Sequence, residues 1–194
     1  MRPMNDFQNP QELTQSVDKP ECFLILFNVA KDSNFGFLIR TANAFGAKIL
    51  VAGRNKVARF GATARTRRTP LQKFRFFEEA VDFVRERNCE ILGVEIGEEA
   101  HSVWNEPFKG PTAFIIGNEG EGLSPKQLEI ADRLVYIPQF GTAVSLNINV
   151  ATGIVLSQFA RWAGYEQTPI ECRKYMSTNS NAKQHAIRTG NLES

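Results

Sequence analysis

The 194-residue chain predicts an α/β fold, a mainly parallel sheet with helices on both faces. Three observations carry that prediction. Short continuous apolar runs recur along the chain, as they do in strands buried on both faces. Amphipathic segments with helical spacing alternate with those runs. Two glycine-bearing loops, beginning at Gly117 and after Ile137, each leave a strand and open a helix, which places both at the edge of the sheet where such folds bind ligands.

The elements follow in order. Residues 21–29 are one apolar run of strand length and residues 48–52 another. Between them, residues 35–45 set Leu38, Ala42 and Phe45 at i, i+4 and i+7, and Gly46 follows as a stop, giving a strand, helix, strand unit. Lys73-Phe74-Arg75-Phe76 alternates as a half-buried strand does. Residues 78–87 read as a helix on Val81 and Val84, and residues 91–94 as a strand. A loop through Trp104 and Pro107 leads to a strand over residues 112–116. Ser124-Pro125-Lys126-Gln127 is a helix start twice over, with a capping box and proline at the first helical position. Residues 133–137 form the next strand. The last helix, from about Ser145 to Trp162, is apolar on one stripe at Ile148, Ala151, Val155, Phe159 and Trp162 and on a second at Leu146, Val150 and Ile154. Two apolar stripes call for two partners, the helix's own sheet and a second subunit. Residues 172–194 are polar and read as a tail.

Composition narrows the class. The net charge of +2 hides an asymmetry: Arg54, Lys56, Arg59, Arg65, Arg67, Arg68, Lys73 and Arg75 lie in a stretch with no acidic residue. Elsewhere 15 basic residues face 21 acidic ones, so one region carries a concentrated positive field that attracts a polyanion. Phe60, Phe74, Phe76 and Phe77 lie among these charges; they either stack unpaired bases or face the core of a strand. Cys22, Cys89 and Cys172 are odd in number and widely spaced, which indicates neither a disulfide framework nor a zinc site. No metal site is expected. The cysteines favour a reducing compartment, the cytoplasm first, with nucleus and organelle left open. No apolar run approaches the roughly 20 residues of a membrane span.

The loop Gly117-Asn118-Glu119-Gly120-Glu121-Gly122-Leu123 holds two carboxylates and no Lys or Arg, so it is no phosphate cradle of the GxxxxGK[ST] kind. It suits hydroxyls, amines or a positive centre. Together with Asn34-Phe35-Gly36-Phe37-Leu38-Ile39-Arg40-Thr41-Ala42-Asn43-Ala44-Phe45-Gly46 and the stretch from Ile137-Pro138 to Ser145-Leu146-Asn147, it resembles the three motifs of the SpoU-type (TrmH-like) RNA 2′-O-ribose methyltransferases of the SPOUT superfamily. All three occur in the family's order. The resemblance spans residues 21–165, expected as one methyltransferase domain between an extension over residues 1–20 and a tail over residues 166–194.

The resemblance implies S-adenosyl-L-methionine as methyl donor, a ribose 2′-hydroxyl of tRNA or rRNA as acceptor, a homodimer, and a C-terminal trefoil knot. It assigns Gly117, Ile137 and Leu146 to the donor, where glycine permits close backbone approach and the aliphatic side chains supply apolar walls. It assigns Arg40, Asn34, Glu119, Ser145 and Asn147 to the active site. Arg40 is a poor general base alone, because its guanidinium stays protonated. It acts either as a base assisted by an RNA phosphate or as a cation that positions phosphate and stabilises developing alkoxide. Asn34 and Asn147 bond substrate or brace loops, Glu119 orients Arg40 or loop amides, and Ser145 holds phosphate or caps the last helix. Arg54, Lys56, Arg59, Arg65, Arg67 and Arg68 are the expected RNA contacts. One departure is Asp32-Ser33, where many family members have Asp-Pro, so the entry to the first motif is less rigid. Two other readings stand beside this one: a catalytically silent RNA-binding protein of the same fold, and a small-molecule α/β enzyme.

Overall fold

The structure is a computed structural model that describes residues 19–27, 32–53, 71–118, 120–142 and 145–167. The expected extension up to residue 18, the basic run from Arg54 to Arg68, and the tail beyond residue 167 lie outside the described residues. The elements are β1 (Cys22–Phe27), α1 (Asp32–Ala44), β2 (Lys48–Ala52), β3 (Leu71–Phe74), α2 (Phe77–Arg85), β4 (Glu90–Val94), β5 (His101–Ser102), a 3-10 turn (Val103–Asn105), β6 (Thr112–Ile116), α3 (Pro125–Ile130), β7 (Arg133–Tyr136) and α4 (Ile148–Trp162). Seven strands form one sheet in the order β3-β2-β1-β6-β4-β7-β5, and each pairing is parallel.

Strand β1 shows why the apolar runs are continuous. Cys22, Leu24 and Leu26 enter the core beneath α1 and α4, while Phe23 and Ile25 enter the core beneath α2. Both faces are covered, so no position is left for a polar residue. Leu38, Ile39, Ala42, Val155 and Phe159 fill the first core; Phe77, Ala80, Val84 and Leu123 fill the second. Burying each large side chain contributes about 1.5–3 kcal/mol. Gly46 ends α1 as expected, with φ +73°. Ser124 caps α3 and Gln127 reaches back to the Ser124 N–H at 2.9 Å, completing the capping box.

Three features differ from expectation. The edge strand β5 is two residues long and its identity comes only from pairing with β7. Helix α4 starts at Ile148, not Ser145, because Asn147 turns its side-chain oxygen onto the Asn149 N–H at 2.9 Å and caps the helix. Of the phenylalanines near the basic stretch, Phe77 is buried and Phe74 packs on the second core, whereas Phe76 is about half exposed with the Arg75 guanidinium 5.1 Å from its ring. Phe60 lies outside the described residues.

The far side of the sheet has an unusual connection. Val94 of β4 and His101 of β5 both pair at the level of Val135, on opposite sides of β7. Residues 95–100 therefore step across β7. The Glu95 N–H donates to the Val135 carbonyl at 3.0 Å as this crossing begins. The start of β7 is stapled: Arg133 binds Glu90 through two bonds of 2.7 Å and the Pro107 carbonyl through a third, and Asp132 accepts from Arg85 at 2.6 and 2.8 Å and from the Ile91 N–H at 2.7 Å. Among the described residues no helix is long and apolar enough to cross a membrane.

Candidate functional site

At the carboxyl ends of β4, β6 and β7 the chain leaves a cleft of about 240 Å³. One wall is the glycine loop after β6. A Cβ at Gly117 would overlap the Gly122 backbone and stand 2.5 Å from the Leu123 nitrogen, so only glycine fits. The close approach is held by reciprocal bonds: the Asn118 N–H donates to the Gly122 carbonyl at 2.8 Å, and the Gly122 N–H to the Asn118 carbonyl at 2.9 Å. The Asn118 side-chain oxygen accepts from the Gly120 N–H at 2.8 Å, and Gly122 takes φ +71°. Glu95, from the crossing connection, fixes the loop from outside. Its carboxylate accepts from the Leu123 N–H at 3.0 Å and the Ile96 N–H at 3.1 Å.

The opposite wall comes from the chain after β7. Ile137, Gln139, Ser145 and Leu146 line the cleft, and Ile116 and Ile148 extend its apolar surface. Among the described lining residues, Glu95 is the one charged side chain. Such a cleft accepts a flat, partly apolar group, offers backbone polar groups along one side, and tolerates a positive centre better than an anion. The three residues expected to hold a donor, Gly117, Ile137 and Leu146, all line this one cleft.

The active-site residues divide. Ser145 lines the cleft. Asn34 is 7 % exposed and its side-chain oxygen accepts from the Asn149 amide at 2.9 Å, so the start of α1 is tied to the start of α4. Asn147 caps α4 from an exposed position. Arg40 is not brought to the cleft. It stands on the exposed stripe of α1 and, with Phe37, Thr41, Ala44 and Phe45, lines a separate shallow groove. Phe35, Leu38, Ile39 and Ala42 take the buried stripe of α1, which leaves Arg40 to face outward. Glu119 and the six basic residues from Arg54 to Arg68 lie outside the described residues.

Two contributors were missed from the sequence. Glu95 acts across 28 residues and has no local signal, and Asn149 follows the third motif as an ordinary helical position. The described cysteines offer no nucleophile: burial raises the Cys22 thiol strongly and pushes Cys89 up to about 11. No group of His, Cys, Asp or Glu among the described residues could hold a metal ion.

Comparison with known proteins gives a consistent answer. The model of the SpoU rRNA Methylase family matches residues 21–157. A 23S rRNA (guanosine-2′-O-)-methyltransferase from Yersinia pestis is 32 % identical over 158 residues, covering 78 % of this chain and 63 % of the relative. A tRNA (guanosine(18)-2′-O)-methyltransferase from Aquifex aeolicus is 30 % identical over 165 residues, covering 78 % and 75 %. Among solved structures, a SpoU methyltransferase from Streptomyces viridochromogenes in complex with AdoMet superposes with TM-score 0.66 at 26 % identity, covering 78 % of this chain and 61 % of that one. The TrmH/SpoU tRNA modifying enzyme of A. aeolicus superposes with TM-score 0.61 at 26 % identity, covering 74 % and 75 %. The chain thus spans a little under two thirds of the length of the rRNA-directed relative from Yersinia pestis.

Proposed function

The chain belongs to the SpoU rRNA methylase family, and from that premise we propose that it transfers the methyl group of S-adenosylmethionine to a ribose 2′-hydroxyl of RNA. The observation that carries the proposal is the convergence of the second and third motifs on one cleft, with Gly117 pressed against Gly122 on one side and Ile137 and Leu146 on the other. Its chemistry fits the donor. The apolar walls suit an adenine and a thioether, and Glu95 is the one charged group among the described lining residues. Held by Gly117, Ile137 and Leu146, the donor would supply an activated methyl on a sulfonium sulfur, the sulfur leaving as a neutral thioether and the 2′-hydroxyl proton passing to a base or to water.

The protein's own task is to align the acceptor oxygen and ease loss of that proton. Ser145 lies at the cleft, where it meets the acceptor or an adjacent phosphate. Asn34, through Asn149, holds α1 against α4 and so fixes the first motif relative to the third. Glu119 and Asn147 complete the polar set of the second and third motifs. Arg40 supplies the positive charge, as phosphate-assisted base or as phosphate clamp. Since Arg40 lies outside its own chain's cleft, a homodimer is part of this reading. The α1 stripe carrying Arg40 also exposes Phe37 at 56 %, and neighbouring α4 exposes Val150 at 50 %, an apolar surface suited to a second copy. The acceptor is tRNA or rRNA, held by the basic segment from Arg54 to Arg68. The trefoil knot belongs to the same reading, supported by the position of β7 between the sequence neighbours β4 and β5. The unpaired Cys22 and Cys89 suit a reducing cytoplasm.

The test is transfer of labelled methyl from S-adenosylmethionine to bulk tRNA and rRNA, followed by nucleoside analysis. A labelled 2′-O-methylated nucleoside is the expected product. Absence of both donor binding and transfer would refute the enzyme reading and leave a silent RNA-binding protein of the same fold.

A further inference from the structure

Phe140 is 94 % exposed, the most exposed large hydrophobic residue among those described. Solvation of a free phenyl ring forgoes roughly 1.5–3 kcal/mol that burial would return. Most other phenylalanines here gain that energy; Phe108, Phe114 and Phe159, for example, share edge-on ring contacts 5.2–5.9 Å apart. Phe140 makes no such contact among the described residues.

Its place in the chain gives the exposure a meaning. Gln139 before it and Ser145 after it both line the cleft. Adjacent Cα atoms lie about 3.8 Å apart, so Phe140 stands at the rim, and the chain from 140 onward must return to the same cleft within five residues. Pro138 fixes the backbone as it leaves β7. Gly141 and Thr142 are also exposed, so Phe140 opens an exposed stretch directly beside the cleft-lining Gln139. Ile137 to Asn147 contains no charged residue, so no charge in this stretch repels a polyanion. The side-chain oxygen of the preceding residue, Gln139, is buried in the cleft wall without a hydrogen-bond partner, an acceptor that a ligand N–H or O–H would satisfy.

We propose that Phe140 is the platform on which an unpaired base of the RNA acceptor stacks, so that the ribose to be methylated is held at the mouth of the cleft. The inference rests on the RNA methyltransferase reading above. A ribose inside a regular helix is hard to present in line with a donor buried in a cleft, whereas an unstacked nucleotide is not. An aromatic ring replaces the stacking that the nucleotide loses, and such a contact contributes about 1–3 kcal/mol per base without selecting its sequence. Phe140 is thus a substrate-positioning residue for the acceptor and has no part in holding the donor.

The experiment compares wild type, Phe140→Ala and Phe140→Trp. It measures donor affinity by calorimetry, methyl transfer to bulk tRNA and rRNA, and binding of fluorescent single-stranded oligo(A) and oligo(U). For Phe140→Ala the expected result is a rise in RNA KM of about 5- to 150-fold, the equivalent of that stacking energy. Donor affinity and kcat at saturating RNA stay within about threefold of wild type. Phe140→Trp keeps the wild-type KM, and oligo(A), the better stacker, quenches its fluorescence more than oligo(U). Because the side chain is solvent-exposed, neither change disturbs the core. Unaltered RNA KM in Phe140→Ala beside an active wild type overturns the platform and leaves the enzyme reading standing. Weakened donor binding would make the ring a lid over the donor, and a changed oligomeric state would make it a subunit contact; either overturns the proposal. Absence of methyl transfer and RNA binding by wild type sinks the enzyme reading and this inference together.

Discussion

The cleft at the carboxyl edge and the outward face of α1 carry the two halves of the proposed reaction, and they are built by opposite means. The cleft is a backbone object. Gly117 and Gly122 touch through main-chain atoms, two reciprocal amide bonds hold them, and Glu95 buttresses the loop through two more amides. The α1 face is a side-chain object, with Arg40 standing exposed beside Phe37. The contrast teaches that binding the donor requires a shape one chain can fix alone. In the proposed reaction, charge reaches the acceptor from Arg40, a group outside the cleft of its own chain.

The largest test of that division is Arg40→Ala. It should lower methyl transfer by about 10²–10³-fold while calorimetric donor affinity stays within about twofold; equal loss of both would erase the distinction. Gly117→Ala inverts the pattern. The new methyl group forces the 117–123 loop apart, and donor affinity should fall on the order of 100-fold. An alanine variant that binds the donor normally would show that the loop is not a rigid wall.

Two further changes ask whether the cleft's rigidity is borrowed from the opposite edge of the sheet. Arg133→Ala leaves the Glu90 carboxylate, 19 % exposed, without its two-bond partner, and should cost about 2 kcal/mol in chemical denaturation. Donor affinity should weaken with it if β7 positions Ile137. The smallest effect belongs to Asp132. Burial raises its carboxyl, but hydrogen bonds from Arg85 and the Ile91 N–H outweigh that and hold it below its usual value. A carboxyl lowered on folding stabilises the protein above its unfolded pKa of about 4, and that contribution is lost as pH falls through the folded value. Asp132→Asn should therefore flatten the acid limb of a thermal-melt profile below about pH 4 and leave neutral activity unchanged.

What the sequence made legible is what short-range chemistry determines. Strands over Lys48–Ala52 and Thr112–Ile116 were readable because each run is apolar throughout, and the α3 start because Ser124, Pro125 and Gln127 act within one turn. That Gly117, Ile137 and Leu146 share one cleft was legible because both loops leave a strand at the same edge of a parallel sheet. The side of α1 that Arg40 occupies was not, although Phe37, Arg40, Thr41 and Ala44 repeat at helical spacing. Apolar residues fall on both stripes of this helix, and only the sheet decides which is covered. Glu95 and β5 were invisible for a related reason: each is defined by a partner far along the chain, Leu123 in one case and β7 in the other.

The step of residues 95–100 across β7 has a consequence in time. The segment that becomes β7 leaves the ribosome after β4 and β5, yet it must come to rest between them, beneath a connection already synthesised. Assembly of the C-terminal half therefore waits for a long-range insertion, the kind of event that makes folding slow. The same arrangement acts in reverse, since freeing β7 breaks its pairing with β4 and with β5. A ligand bound between the two cleft walls would therefore lengthen the lifetime of the C-terminal half against proteases.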